Sequence, residues 1–249
     1  MFTVERRDAV RTALLDRARS DASIVGAAVT GSAARGAADR WSDIDLFLGV
    51  ADGVPVADAV AGWSGYVYAE LGALHHFDLT TGTWTYRAFL LADTLEVDLG
   101  FAPAAEFGPA GGQPFEVAFG TPGTGAPPPP APDPAHLTGL CWHHVLHART
   151  HLRRGNPWQA EYWISAVRDH LLALAALRFG HPTHYAKGAD LLPVQITGPL
   201  RESLPGSLDP AELARALRAV TDALVAEVRA SDPALAAALA GPLRAAVAG

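Results

Sequence analysis

Apolar residues recur at helical spacing over residues 4–19, where Val4, Val10, Leu14 and Leu15 stand among arginines, and this predicts an amphipathic helix. The run Ile24-Val25-Gly26-Ala27-Ala28-Val29, closed by Thr30-Gly31-Ser32, predicts a buried strand entering a turn. Asp43-Ile44-Asp45-Leu46-Phe47-Leu48 predicts a second strand, with Ile44, Leu46 and Leu48 on one face. Residues 56–73 read as a helix ending near Gly72. Strand-like pieces follow at 75–79, 85–91 and 95–101, the last two joined by a tight turn at Ala92-Asp93. Residues 115–119 add an edge strand, which completes an α/β part with a mixed sheet.

Beyond it the pattern changes. Residues 121–134, dense in proline and glycine, can form neither a helix nor a central strand. From there the period is helical, with helices expected over about 134–153, 157–179, 210–230 and 233–247. Asp-Pro or Asn-Pro opens several of them, a capping residue followed by proline at the first helical position. The expected architecture is α+β: a mixed-sheet domain over residues 1–120, a Pro-rich linker over 121–134 and a helical bundle over 135–249.

Composition sharpens this picture. With 249 residues, 49% of them hydrophobic and 18% charged, the chain buries a real core and disorder is excluded as a class. No apolar run reaches membrane-spanning length, the first residues do not open a signal peptide, and Cys141 has no cysteine to pair with. The expectation is a cytoplasmic protein with no membrane partner.

The net charge is −7. The acidic surplus lies in residues 1–120, and between Asp43 and Asp98 the sole basic residue is Arg87. A nucleic-acid partner needs the opposite bias. An acidic face suits metal cations or a cationic small molecule, or it merely keeps the chain soluble. Lys187 is the only lysine, in a chain where arginine takes the other cation positions.

The stretch from Val29 to Leu46 carries the chemistry. A Gly31-Ser32 turn after a strand is followed, beyond residues 33–42, by Asp43-Ile44-Asp45 at the start of the next strand. Side chains two apart on a strand share a face, so Asp43 and Asp45 aim together while Ile44 packs behind. Two carboxylates held so close repel, and Mg²⁺, which prefers carboxylate, phosphate and water oxygens, removes that penalty. The Gly-Ser turn offers amides and a hydroxyl to a phosphate at the following helix N-terminus. Glu96 and Asp98 share a face of a later strand, and Asp98, amid Val97, Leu99 and Phe101, is the preferred third carboxylate.

This pattern of Gly-Ser, spacer, Asp-apolar-Asp and later strand carboxylate resembles the nucleotidyltransferase superfamily typified by DNA polymerase beta. The two-part layout with a helical second half is similar to that of nucleotidyltransferases acting on aminoglycoside or lincosamide antibiotics. The resemblance implies a polymerase-beta-like N-terminal domain and transfer of a nucleoside monophosphate, most simply from ATP, to a small-molecule hydroxyl. It implies metal ligation by Asp43, Asp45 and Asp98, nucleotide binding by Gly31, Ser32 and Ser42, and an acceptor between the acidic sheet and the helical half. Asp98 or Glu161 would be the catalytic base, and Lys187 would reach the triphosphate. Partners implied are a nucleotide and a cationic acceptor, with the protein a monomer or homodimer. An alternative is the minimal nucleotidyltransferase antitoxin, which binds or modifies a helical toxin and shares Ser-Asp-Ile-Asp-Leu but is usually much shorter.

Arg168 is expected to pair with Asp169 or a neighbour. His143, His147 and His151 line one helix face with His136 and His144 nearby. An i, i+4 histidine pair can hold zinc. No Cys or carboxylate stands at matching spacing in that helix, so polar packing against an interdomain cleft is the expectation. Trp84, Trp158, Tyr162 and Trp163 are expected to pack in the core.

Overall fold

The computed structural model describes residues 1–109, 111, 113–125, 127 and 130–248. The chain divides into two compact units, Met1–Pro129 and Pro130–Gly249.

The first unit contains α1 (Val4–Ser20), β1 (Ile24–Val29), β2 (Ile44–Val50), α2 (Val56–Leu71), β3 (Ala73–Thr81), β4 (Trp84–Leu91), β5 (Glu96–Pro103) and β6 (Glu116–Phe119). The six strands form one sheet in the order β3-β4-β5-β2-β1-β6. Strands β2 and β5 run parallel, while every other neighbouring pair is antiparallel. The parallel pair is possible because α2 and the β3–β4 hairpin lie between them in sequence and supply the long connection that parallel pairing requires.

Alternation along the two central strands decides what each face carries. Ile44, Leu46, Leu48 and Val50 of β2 and Val97, Leu99 and Phe101 of β5 are buried with Val10 and Leu14 of α1 and Val60, Trp63 and Val67 of α2. The alternate positions, Asp45, Phe47, Asp98 and Gly100, therefore face the other way. On that second face Phe47, Trp84, Ala102 and Phe107 form a smaller cluster, against which Tyr86 and Phe115 pack.

Several boundaries differ from those expected. Strand β3 starts at Ala73 and runs to Thr81, because it pairs with β4 over that length, with a bulge at Leu74. The β4–β5 connection spans residues 92–95 rather than a two-residue turn, with Thr94 in the left-handed region at φ 69°. Asp93 makes this longer turn stable by accepting from the Leu95 amide at 3.2 Å and from Arg6 at 3.1 Å. The turn after Ser32 is a single 3₁₀ turn, Ala33–Arg35, and not the start of an α-helix, since Gly36 at φ 65° closes it.

In the second unit α3 (Pro134–Arg153), α4 (Pro157–Arg178), α6 (Pro210–Ser231) and α7 (Pro233–Val247) match the periodic segments, while α5 (Val194–Arg201) was not anticipated. It is eight residues long, follows Pro193 and contains Pro199, so no sustained apolar period announces it. Asp133 and Asp232 cap α3 and α7 by accepting from the amides of Ala135 and Leu235. Leu137, Cys141, Val145 and Ala148 of α3 bury against Ile164, Val167 and Leu171 of α4 and Leu213, Leu217 and Leu224 of α6. Arg178 grips Glu227 through two 2.8 Å hydrogen bonds and ties α4 to α6. Burial pushes the Cys141 thiol up to about 12, which leaves it inert.

Residues 121–125, 127 and 130–133 form neither helix nor strand, while residues 126, 128 and 129 of the expected linker lie outside the described ones. Among the described residues, no helix is long and apolar enough to cross a membrane. Trp84 is buried as expected, but Trp158 and Tyr162 are 75% and 62% exposed, because they fall on the α4 face opposite Ile164 and Val167.

Leu99 is fully buried at the centre of the sheet. Leu99→Ala should destabilise the first unit by about 2–5 kcal/mol through lost transfer energy plus a residual cavity, measured by chemical denaturation.

Candidate active site

Strand β1 delivers the chain to Thr30, whose amide donates to the Asp45 carbonyl at 3.0 Å. Gly31 then takes a left-handed conformation, φ +64°, directly against Asp45: a Cβ here would lie 1.8 Å from the Asp45 Oδ2. Only glycine permits both the backbone conformation and this approach. The next residue, Ser32, has its hydroxyl oxygen buried with no hydrogen-bond partner. A buried hydroxyl left in that state is costly.

The loop between the turn and β2 is held from α1. Arg7, 5% exposed, donates from Nη1 to the carbonyl oxygens of Asp39 and, at 3.5 Å, Ser42. Ser42 braces the same turn, its Oγ accepting from the Asp39 amide at 2.9 Å and donating to the Asp39 carboxylate at 3.2 Å. The turn hands the chain to Asp43, one residue before β2 begins.

Parallel pairing then aligns the carboxylates. The β2–β5 register sets Asp45 opposite Asp98, Ile44 opposite Val97 and Leu46 opposite Leu99. Asp43, Asp45 and Asp98 each present an oxygen within 4.8 Å of the others. Burial raises the Asp98 pKa to about 7, helped by the negative charges of Glu96, Asp45 and Asp43. One oxygen of Asp98, Oδ1, is buried with no hydrogen-bond partner. Three converging carboxylates, one of them with a raised pKa and an unpartnered oxygen, suit a hard divalent cation. Glu96, exposed nearer the end of β5, shares the face of Asp98 but lies outside the cluster.

One register step along, Phe47 and Tyr86 flank Gly100, where a Cβ would meet the Phe47 ring at 2.4 Å. Thr30, Gly31, Phe47, Tyr86 and Phe115 line a hollow of ≈ 140 Å³ beside the turn. Burial drives the Tyr86 phenol up to about 12, so it stays protonated there.

The structure thus brings Gly31, Asp43, Asp45 and Asp98 together, with Ser32 next along the turn. Glu161 and Lys187 belong to the second unit. Glu161 accepts from the Ser165 hydroxyl at 2.6 Å, and Ser165 accepts from Arg168 at 2.7 Å. Arg168 also donates to the Ser203 carbonyl at 3.1 Å, where Asp169 was an expected partner. Lys187 is exposed at the end of the 3₁₀ turn His184–Ala186. Arg7 and Asp39 were missed by sequence reasoning. Their only signal, an arginine in an amphipathic helix and an aspartate in a loop, is shared with ordinary surface residues.

Residues 10–79 match the family model of the nucleotidyltransferase domain, a span that includes Gly31, Ser32, Asp43 and Asp45 and ends before Asp98. An aminoglycoside 6-adenyltransferase from Bacillus subtilis aligns at 13% identity and a TM-score of 0.41, covering 98% of this chain and 99% of that one. A nucleotidyltransferase-like protein from Exiguobacterium sibiricum aligns at 13% identity and a TM-score of 0.35, covering 95% of this chain and 77% of its own. Among curated proteins no sequence match was found. The chain therefore carries a distant match to the nucleotidyltransferase superfamily, and with it a carboxylate cluster suited to a divalent metal.

Gly31→Ala should displace the Asp45 carboxylate and weaken divalent-cation binding about 10–100-fold, read by Mn²⁺ titration. The Asp98 proton gives a second expectation. Its folded pKa, about 7, lies above the ordinary value of 3.8, so the folded state holds the proton more tightly. In chelator-treated protein this contribution to stability is therefore lost as pH rises from about 4 to about 7, and is constant above that. Asp98→Asn should remove this slope, so the difference in Tm between variant and wild type should widen over that window and then level off.

Proposed function

We propose that the protein is a Mg²⁺-dependent nucleotidyltransferase that moves a nucleoside monophosphate from ATP to a hydroxyl of a small, cationic acceptor of the aminoglycoside or lincosamide kind. The observation that carries this reading is the register of β2 on β5, which stacks Asp45 against Asp98 beside the Gly31-Ser32 turn. The local domain match and the sequence resemblance point the same way.

Asp43, Asp45 and Asp98 would hold the metal ions, which when bound stabilise charge on the attacking and leaving oxygens of an in-line displacement. The Ser32 hydroxyl, otherwise unpartnered, donates to a phosphate oxygen, and the left-handed Gly31 lets the backbone approach the triphosphate without a side chain intervening. The acceptor oxygen forms a bond to the α-phosphorus as the bond to the β-phosphate bridging oxygen breaks, and pyrophosphate leaves. The acceptor proton passes to a carboxylate. Asp98 is one candidate, if it stands beside the attacking hydroxyl instead of on the metal. Glu161 of the helical unit is the other, oriented by Ser165 and Arg168. Lys187 is assigned to the triphosphate on the resemblance. Ser42, also assigned to the nucleotide on that ground, acts on it by shaping the turn before Asp43. The acidic sheet favours a cationic acceptor over a nucleic acid.

Incubation with ATP, Mg²⁺ and a panel of aminoglycosides and lincosamides should release pyrophosphate and add a nucleotide mass to one acceptor. Asp43→Asn and Asp45→Asn should each lower that turnover by about 10²–10³-fold or more while the protein stays folded. Wild-type rates in both variants would refute the assignment.

A further inference from the structure

Apart from the carboxylates, the helical unit carries a second group of metal-capable side chains. His143, His147 and His151 fall on successive turns of α3. His143 is exposed and His147 half-buried, and their Nε2 atoms stand 3.1 Å apart with ring centroids 4.4 Å apart. Two imidazoles in this position can share one proton, or both lone pairs can meet at a single ion. With metal–nitrogen bonds of about 2.0–2.1 Å, that separation closes a nitrogen–metal–nitrogen angle of about 100°. This value lies between the octahedral and tetrahedral preferences, so neither ring has to move far.

The rings are also held in place. Trp163 of α4 packs on His147 at 5.0 Å and on His144 at 4.7 Å, while His144 lies 5.1 Å from His170. Leu146, Thr150, His151 and Arg154 border a shallow hollow of ≈ 420 Å³ beside the pair, which has room for water ligands.

We propose that His143 and His147 form a bis-imidazole site for a divalent transition cation of the Zn²⁺, Ni²⁺ or Cu²⁺ class, with water completing the coordination. The nitrogen donors separate it chemically from the carboxylate cluster, because Mg²⁺ selects oxygen ligands and dehydrates reluctantly. The site does not depend on the catalytic reading, and it stands or falls without it.

The test is titration of the whole protein with Ni²⁺ in excess Mg²⁺, followed by tryptophan fluorescence, because the ion would sit beside Trp163. The expected result is saturable quenching at a single equivalent, with Cu²⁺ binding tighter than Ni²⁺ and Mn²⁺ much weaker. His143→Gln, at an exposed position, should weaken Ni²⁺ binding at least about tenfold while the far-UV circular dichroism stays unchanged. Ni²⁺ should also raise the Tm of the wild type and not of the variant. A titration unchanged in His143→Gln, or no saturable quenching in the wild type, would overturn the site.

Discussion

Mutual repulsion among three carboxylates is the constraint on which the first unit is built. At the separation of Asp43, Asp45 and Asp98, each fully charged pair costs a few kcal/mol at an effective dielectric constant of about 20. The fold supports that cost through the apolar side of the same strands, where Ile44, Leu46, Val97 and Leu99 are locked between two helices. Strand alternation makes the two sides inseparable: the register that seats Leu46 beside Leu99 is the register that sets Asp45 beside Asp98. Slipping the pairing by one residue to relieve the charge would turn the apolar set out to water.

Much of this was legible in the sequence. Asp43-Ile44-Asp45 declared its two faces by alternation alone, and Asp98 was preferred over Glu96 on the strength of apolar neighbours that prove to be buried. Gly31 announced a turn. What stayed hidden were relations between distant segments. Nothing in the sequence says that β2 and β5 pair in parallel, or that Asp98 rather than Glu96 comes level with Asp45. Arg7 could not be told from its surface neighbours in α1, because its burial depends on a loop more than 30 residues away.

The helical unit was read well for its long helices and poorly for its surfaces. Periodicity locates an apolar stripe but not the edge of it, and Trp158 and Tyr162 fall beyond that edge. Sequence spacing set the histidines on one face of α3 without revealing that two of them converge on each other while Trp163 fixes their orientation. The short α5, started and interrupted by proline, shows the opposite limit. Eight residues are too few for an apolar face to register as a period.

The clasp of Arg7 fixes the loop before Asp43 through its main chain. Its guanidinium binds main-chain oxygens, which every amino acid possesses, and the side-chain bonds of Asp39 and Ser42 complete the bracing of that loop. The side chains of Arg40 and Trp41, exposed and stacked on each other at 4.3 Å, take no part in that bracing, so they can be replaced without moving Asp43. The rim of the loop and the placement of Asp43 are thereby uncoupled.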